Sequence, residues 1–178
     1  MLLVLAWLMS TAQAGQGLSV QALRFIGEQQ IPHKQPFQGT TVGGLSGIDY
    51  DAGTDTWILA SDDRSDFDAS RFYTAKLAYD GQAFTSMTLT STVPFRQQNG
   101  KPFSSRWKLG EIADVEAVRF DPLDDSIWYS SEGDRMRQLN PFIRRALRSG
   151  EFIEELSVSP MFAMRRDQQV GSRNNLAF

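Results

Sequence analysis

LSGIDYDAGTDTWILASDDR, residues 45–64, and VEAVRFDPLDDSIWYSSEGD, residues 115–134, lie over one another without a gap at an offset of seventy residues. Asp51 falls on Asp121, Asp55 on Asp125 and Ser61 on Ser131, while the apolar Ile48, Tyr50 and Ile58 fall on Val118, Phe120 and Trp128. Self-similarity at a fixed offset marks a repeated supersecondary unit, which buries its apolar face only against stacked neighbours.

Each copy reads as four short strands joined by turn chemistry. In the second, Glu116 to Asp121 and Ile127 to Ser131 flank an Asp-rich turn, and Phe142 to Leu147 and Glu151 to Val158 flank Arg148-Ser149-Gly150. In the first, the strands are Gly47 to Asp51, Trp57 to Ser61, Arg71 to Tyr79 and Phe84 to Thr92, the last two joined at Asp80-Gly81. Four antiparallel strands per unit describe a propeller blade. Leu23 to Ile31 reads as one further strand that helps to close a ring, residues 99–110 as a polar connection between blades, and residues 173–178 as the opening of a third copy. The expected fold is therefore all-β, a β-propeller present as an incomplete ring of about two and a half blades. Closed rings have about four to eight blades, so the chain is expected to be the N-terminal part of a longer protein.

Composition removes several partner classes. With 18 Lys+Arg against 21 Asp+Glu and no basic block, the chain lacks the footprint of a nucleic-acid binder. Residues 1–14, MLLVLAWLMSTAQA, have the apolar run and Ala-x-Ala ending of a secretory signal, although no Lys or Arg precedes the run. The run is too short for a membrane-spanning helix, which needs about 20 apolar residues. Cleavage after Ala14, a periplasmic or secreted destination and no stable membrane insertion are expected, leaving residues 15–178 as the propeller domain. Cysteine is absent, so stability rests on packing without disulfides.

The runs Gly43-Gly44-Leu45-Ser46-Gly47-Ile48-Asp49-Tyr50-Asp51, Ser61-Asp62-Asp63-Arg64, Ala69-Ser70-Arg71-Phe72-Tyr73, Asp114-Val115-Glu116-Ala117, Ser130-Ser131-Glu132-Gly133, Pro141-Phe142-Ile143-Arg144-Arg145 and Arg173-Asn174-Asn175 together resemble the bacterial phytase-like family, "esterase-like activity of phytase". Ala117 stands where that family more often has Gly. The resemblance implies an exported propeller and hydrolysis of a small-molecule phosphate ester with calcium as cofactor. A fold does not fix a chemistry, so the competing class is a non-catalytic propeller that binds a ligand or protein partner in the cell envelope.

Superposing the repeats places Ser46 on Glu116 and Asp62 on Glu132. Asp62, Asp63, Glu116 and Glu132 are thus candidate metal ligands at one acidic mouth, since calcium takes six to eight oxygen ligands, and Glu116 and Glu132 are the candidate catalytic carboxylates. Arg64, Arg144 and Arg173 are candidates to clamp phosphate oxygens, with Asn174 and Asn175 donating further hydrogen bonds. The competing reading of the carboxylates is as caps of turns and strand ends, and of the arginines as surface ion pairs. Residues 62–68 crowd four carboxylates into seven positions, which raises their proton affinity unless a cation relieves it.

Other motifs fail. A nucleophile elbow at Ser46 would need Gly at position 48, where Ile stands. The one histidine, His33, sits beside Pro32 and ahead of Ser46, against a Ser-His-Asp triad. Asp49, Asp51, Gly53 and Asp55 imitate the start of an EF-hand, but Ala60 occupies its twelfth position, so a hairpin turn is expected. Trp57, Phe72, Tyr73, Phe84, Phe120, Trp128 and Phe142 are read as packing between blades.

Overall fold

The structure, a computed structural model, describes residues 22–103, 110–134 and 137–163. Its elements are β1 (Pro36–Phe37), β2 (Thr40–Thr41), β3 (Leu45–Asp51), β4 (Thr56–Ser61), β5 (Arg71–Tyr79), β6 (Phe84–Pro94), β7 (Val115–Phe120), β8 (Ser126–Ser131), β9 (Phe142–Leu147) and β10 (Phe152–Leu156), followed by a 3-10 turn at Pro160–Phe162. The first two form a small hairpin, while β3-β4-β5-β6 and β7-β8-β9-β10 are two four-stranded antiparallel meanders. The chain is all-β, an incomplete propeller-like arrangement of two blades. The signal expected in residues 1–14 and the third copy expected at 173–178 lie outside the described residues.

The repeat is visible in hydrogen bonding. Asp51 accepts the Gly53 amide at 2.9 Å and Asp121 the Leu123 amide at 2.9 Å, so the same Asx turn folds both first hairpins. Asp80 does comparable work between β5 and β6, accepting the amides of Gln82 and Ala83. The first strand of each blade also carries a register shift against the second, between Leu45 and Gly47 in β3 and between Val115 and Ala117 in β7. Ser46 and Glu116 are the extra residues of two equivalent bulges, and a bulge breaks the in–out alternation of a strand and re-aims its side chain.

The blades meet along β3 and β7. Ser46 Oγ donates to Val115 O at 2.7 Å, the Phe120 amide donates to Asp49 Oδ2 at 2.8 Å, and Arg119 Nη1 donates to Ile48 O at 3.2 Å. Gly47 lets the strands approach, because a Cβ there would lie 3.0 Å from Val118 N and 3.1 Å from Ala117 Cα. Behind this seam Ile58, Ala60, Phe72, Phe95, Val115, Val118, Ile127, Tyr129 and Phe142 form one buried cluster. The rings of Phe95 and Tyr129 stack across it at 4.0 Å. Each such side chain withdrawn from water contributes about 1.5–3 kcal/mol before entropy is counted. Further out, Arg148 pairs with Asp51 at 2.7 Å and lies over the Phe120 ring at 4.4 Å.

The other face of the first blade buries Val42, Leu59, Tyr73 and Ala75, with Ile31 and Phe37 from the preceding segment packed on them. The strand expected over Leu23 to Ile31 is absent. The segment runs irregularly beside β6, held by the Phe84 amide on Ile26 O at 2.9 Å and by Gln29 on Phe84 O at 2.9 Å. The physical reasons are Gly27 at φ 134° and the lack of a surface for its apolar side chains, Leu23 and Phe25 being 93% and 78% exposed. Of the aromatic residues expected between blades, Phe72 and Phe142 lie in the seam cluster with Phe120 against it, whereas Tyr73 and Trp57 pack on the other face of the first blade, and Phe84 and Trp128 are half-buried outside both clusters.

Candidate functional site: an acidic pocket at the blade seam

Both second strands end on a serine that ties down the segment leading into the inner strand. Ser61 Oγ donates to Gly43 O at 2.8 Å in the first blade, and Ser131 Oγ accepts the Asp114 amide at 3.0 Å in the second. The next amide is fixed the same way twice, Asp62 N on Gly44 O at 2.7 Å and Glu132 N on Asp114 O at 3.1 Å. These bonds place Asp62 and Glu132 at equivalent strand ends, beside the bulge residues Ser46 and Glu116. Between them opens a pocket of about 760 Å³, lined among others by Asp62, Arg64, Asp114, Glu116 and Glu132, with His33 and Lys34 from the segment ahead of β1.

Carboxylate oxygens of Asp114, Glu116 and Glu132 lie within 4.8 Å of one another, with Asp114 and Glu132 buried and Glu116 half-buried. Arg64 enters this group from the first blade. Its Nη2 pairs with Asp114 Oδ2 and, at 3.1 Å, with Glu132 Oε1. Burial, then the hydrogen bond with Glu132, push the Asp114 carboxyl up to about 7 even though the Arg64 guanidinium pulls the other way. Glu116 is raised by burial and by the charges of Glu132 and Asp62, and Asp62 by burial and by Asp63. For Arg64, burial opposes its charge, but Asp114 and Glu132 outweigh it and the guanidinium is held more firmly protonated.

Asp63 is engaged differently from its neighbour. Its oxygens accept the amides of Asp66 at 2.7 Å, Phe67 at 3.3 Å and Asp68 at 3.1 Å, and it pairs with Arg71 Nη1 at 2.9 Å. Burial favours its protonation, but Arg71 and the amides prevail and hold its carboxyl below the ordinary range. Arg71 is itself buried, bonded to Tyr73 Oη at 2.6 Å and Thr41 O at 2.6 Å. This pair organises the 62–70 loop, leaving Asp62 as the aspartate of that pair whose carboxylate makes no hydrogen bond to the described residues.

Of the residues singled out in the sequence, Asp62, Asp63, Arg64, Glu116 and Glu132 line one pocket. Arg144 does not join them. It lies on β9, bonded to Glu155 at 2.8 Å and Glu111 at 2.5 Å and set over the Phe142 ring at 4.0 Å, beside a separate small cleft. Its place is thus that cleft and not the seam pocket, so the structure does not bring it to the other candidate residues. Arg173, Asn174 and Asn175 lie outside the described residues. Asp114 was not singled out, because the repeat aligns it with Gly44; the signal available was a carboxylate two positions ahead of Glu116. His33 and Lys34 reach the rim from outside the repeat and carried no signal.

Two antiparallel blades with a carboxylate-lined pocket at their seam define a propeller-like all-β protein with an acidic pocket. The family model "Esterase-like activity of phytase" matches residues 40–178, and the chain belongs to this phytase-like family. Membership points to a hydrolase-type function. No curated protein and no solved structure matches the chain.

Proposed function

We propose that the protein is an exported hydrolase of small phosphate esters whose chemistry takes place in the seam pocket with the help of calcium. The observation that carries this reading is the convergence of Asp114, Glu116 and Glu132 within 4.8 Å, with Arg64 alongside. The donor set fits the ion: all-oxygen carboxylates are what a hard divalent cation takes, and their crowding and burial are what such a cation relieves. Asp114, Glu116 and Glu132 would hold it, with Asp62 facing the same pocket. Calcium bound there would supply charge neutralisation of the phosphate and acidification of water.

The chain's own groups account for orientation and proton movement. Arg64 presents a planar fork suited to two phosphate oxygens. Glu116, half-buried and with its proton affinity raised, is the general base that takes a proton from water as the new P–O bond forms. The ester P–O bond breaks, and the leaving oxygen takes a proton from solvent water in the open pocket. The leader read in residues 1–14 supports export, and no helix among the described residues is long and apolar enough to cross a membrane. The acidic pocket and the net charge of −3 disfavour nucleic acid as a partner.

The test is hydrolysis of a chromogenic phosphate monoester with calcium by the wild-type chain and by Glu116→Gln. With calcium saturating for each protein, general-base loss lowers kcat by about 10²–10⁴-fold. An inactive wild type that still binds the ester, with Glu116→Gln altering affinity alone, would replace this reading with the non-catalytic binding one.

A further inference from the structure

Two arginines from the first blade reach the pocket, and they are held in opposite ways. Arg71 is 2% exposed and is fixed by Asp63, the Tyr73 hydroxyl and the carbonyls of Thr41, Asp68 and Ala69. Arg64 is 30% exposed at its side chain and is held at its tip, where one atom, Nη2, meets both Asp114 and Glu132. Those are the same two buried carboxylates that join Glu116 in the oxygen cluster. The guanidinium therefore occupies the electrostatic place of a cation, bridging oxygens contributed by the other blade.

The charges around it make that placement consequential. Asp62, Asp66, Asp114, Glu116 and Glu132 line the pocket against Arg64 and Lys34, the charge of Arg71 being matched by Asp63, so negative charge is in excess. A dianionic phosphate entering this pocket meets net negative charge, and the guanidinium suited to receive it is already engaged. A divalent cation on the carboxylates changes both conditions at once, because it supplies the neutralising charge and weakens the hold of Asp114 and Glu132 on Arg64.

We propose that Arg64 is an exchangeable counter-ion, which a divalent cation displaces from Asp114 and Glu132 and which thereby becomes the anion-binding group of the pocket, so that cation and phosphate load in that order. This rests on the cation-binding reading of the site given above and adds the coupling between the two ligands. Coupling of this kind is reciprocal: phosphate must tighten the cation by the factor by which the cation tightens phosphate.

The experiment is calorimetric titration of the full chain with calcium alone, with inorganic phosphate alone, and with each in the presence of the other, for wild type and Arg64→Gln. Wild type should bind phosphate about tenfold or more tightly once calcium is saturating, and Arg64→Gln should lose most of that factor while binding calcium at least as tightly as wild type. Equal coupling factors in the two proteins, or phosphate binding to wild type that ignores calcium, would overturn the exchange while leaving a calcium site in place. No calcium binding by either protein would remove the cation reading and the exchange together. Arg64→Lys keeps the point charge without the fork, and it lowers the coupling factor in the same direction should Arg64→Gln fail to show a cooperative urea transition.

Discussion

Replacing Gly47 with Ala should loosen the seam on which the pocket is built. The added Cβ would stand 3.0 Å from Val118 N and 3.1 Å from Ala117 Cα, against an optimum of about 3.5–4.0 Å for such pairs. Both neighbours are main chain, so no side chain can turn aside, and the inner strands must separate by about half an ångström. Overpacking of this kind costs about 1–3 kcal/mol, while Gly→Ala at a position without positive φ returns about 0.4–1 kcal/mol through the unfolded chain. The net expectation is a loss of about 1–2 kcal/mol. Urea unfolding measures it, with Gly43→Ala as the comparison, since a Cβ at Gly43 meets nothing within 4 Å. Gly47→Ala should unfold at lower urea with an unchanged slope and bind calcium more weakly, because Glu116 sits on the displaced strand. Equal stability of the two variants would refute the argument that backbone contact at Gly47 limits the approach of the blades.

Two further outcomes follow from the carboxylates. Asp114 has a folded-state carboxyl raised to about 7, above the 3.8 of the free group, so between those values the folded chain holds a proton that the unfolded chain has released. The stability that Asp114 contributes in chelator should therefore be fully present below pH 4 and be lost as pH rises through 7, by at most about 1.4 kcal/mol per pH unit for one proton. Asp114→Asn should flatten that slope, and an unchanged slope in urea titrations would assign it to other groups. Asp63→Ala strips Arg71 and the loop amides of their acceptor and should cost about 3–5 kcal/mol, whereas Asp62→Asn should leave stability within about 0.5 kcal/mol and lower calcium affinity; thermal melts and calcium titration separate the two.

The strands were legible because the repeat supplies its own comparison. Asp51 over Asp121 and Ser61 over Ser131 located turns and strand ends, and the structure puts matching bonds there, an amide on the Asp carboxylate in each turn and an amide on a carbonyl just past each strand. What escaped was whatever differs between copies or lies outside them. Asp114 aligns with Gly44, so superposition hid a buried carboxylate behind a glycine, and that glycine, at φ 56°, packs its backbone against Asp62. Leu23 to Ile31 imitate a strand, but with Gly27 at φ 134° the segment meets the edge of β6 only around Phe84 and forms no ladder. Asp62 and Asp63 are chemically identical in sequence, and only the path of the 62–70 loop decides which one is consumed by backbone amides. Arg144 matched a family motif, yet its strand carries it to the cleft of Glu111 and Glu155 rather than to the seam pocket.

The paired bulges give the fold two positions where a side chain is excused from the alternation of its sheet. In the regular stretch of β7, where Val118 is core and Arg119 faces solvent, exchanging a polar for an apolar residue moves it between core and solvent and is felt by packing. At 46 and 116 the residue answers to neither, so Ser46 can serve as a stitch between blades and Glu116 as a charge in the pocket on the same backbone geometry. Reactivity can thus be rewritten at these two sites while the fold's hydrophobic pattern is left untouched.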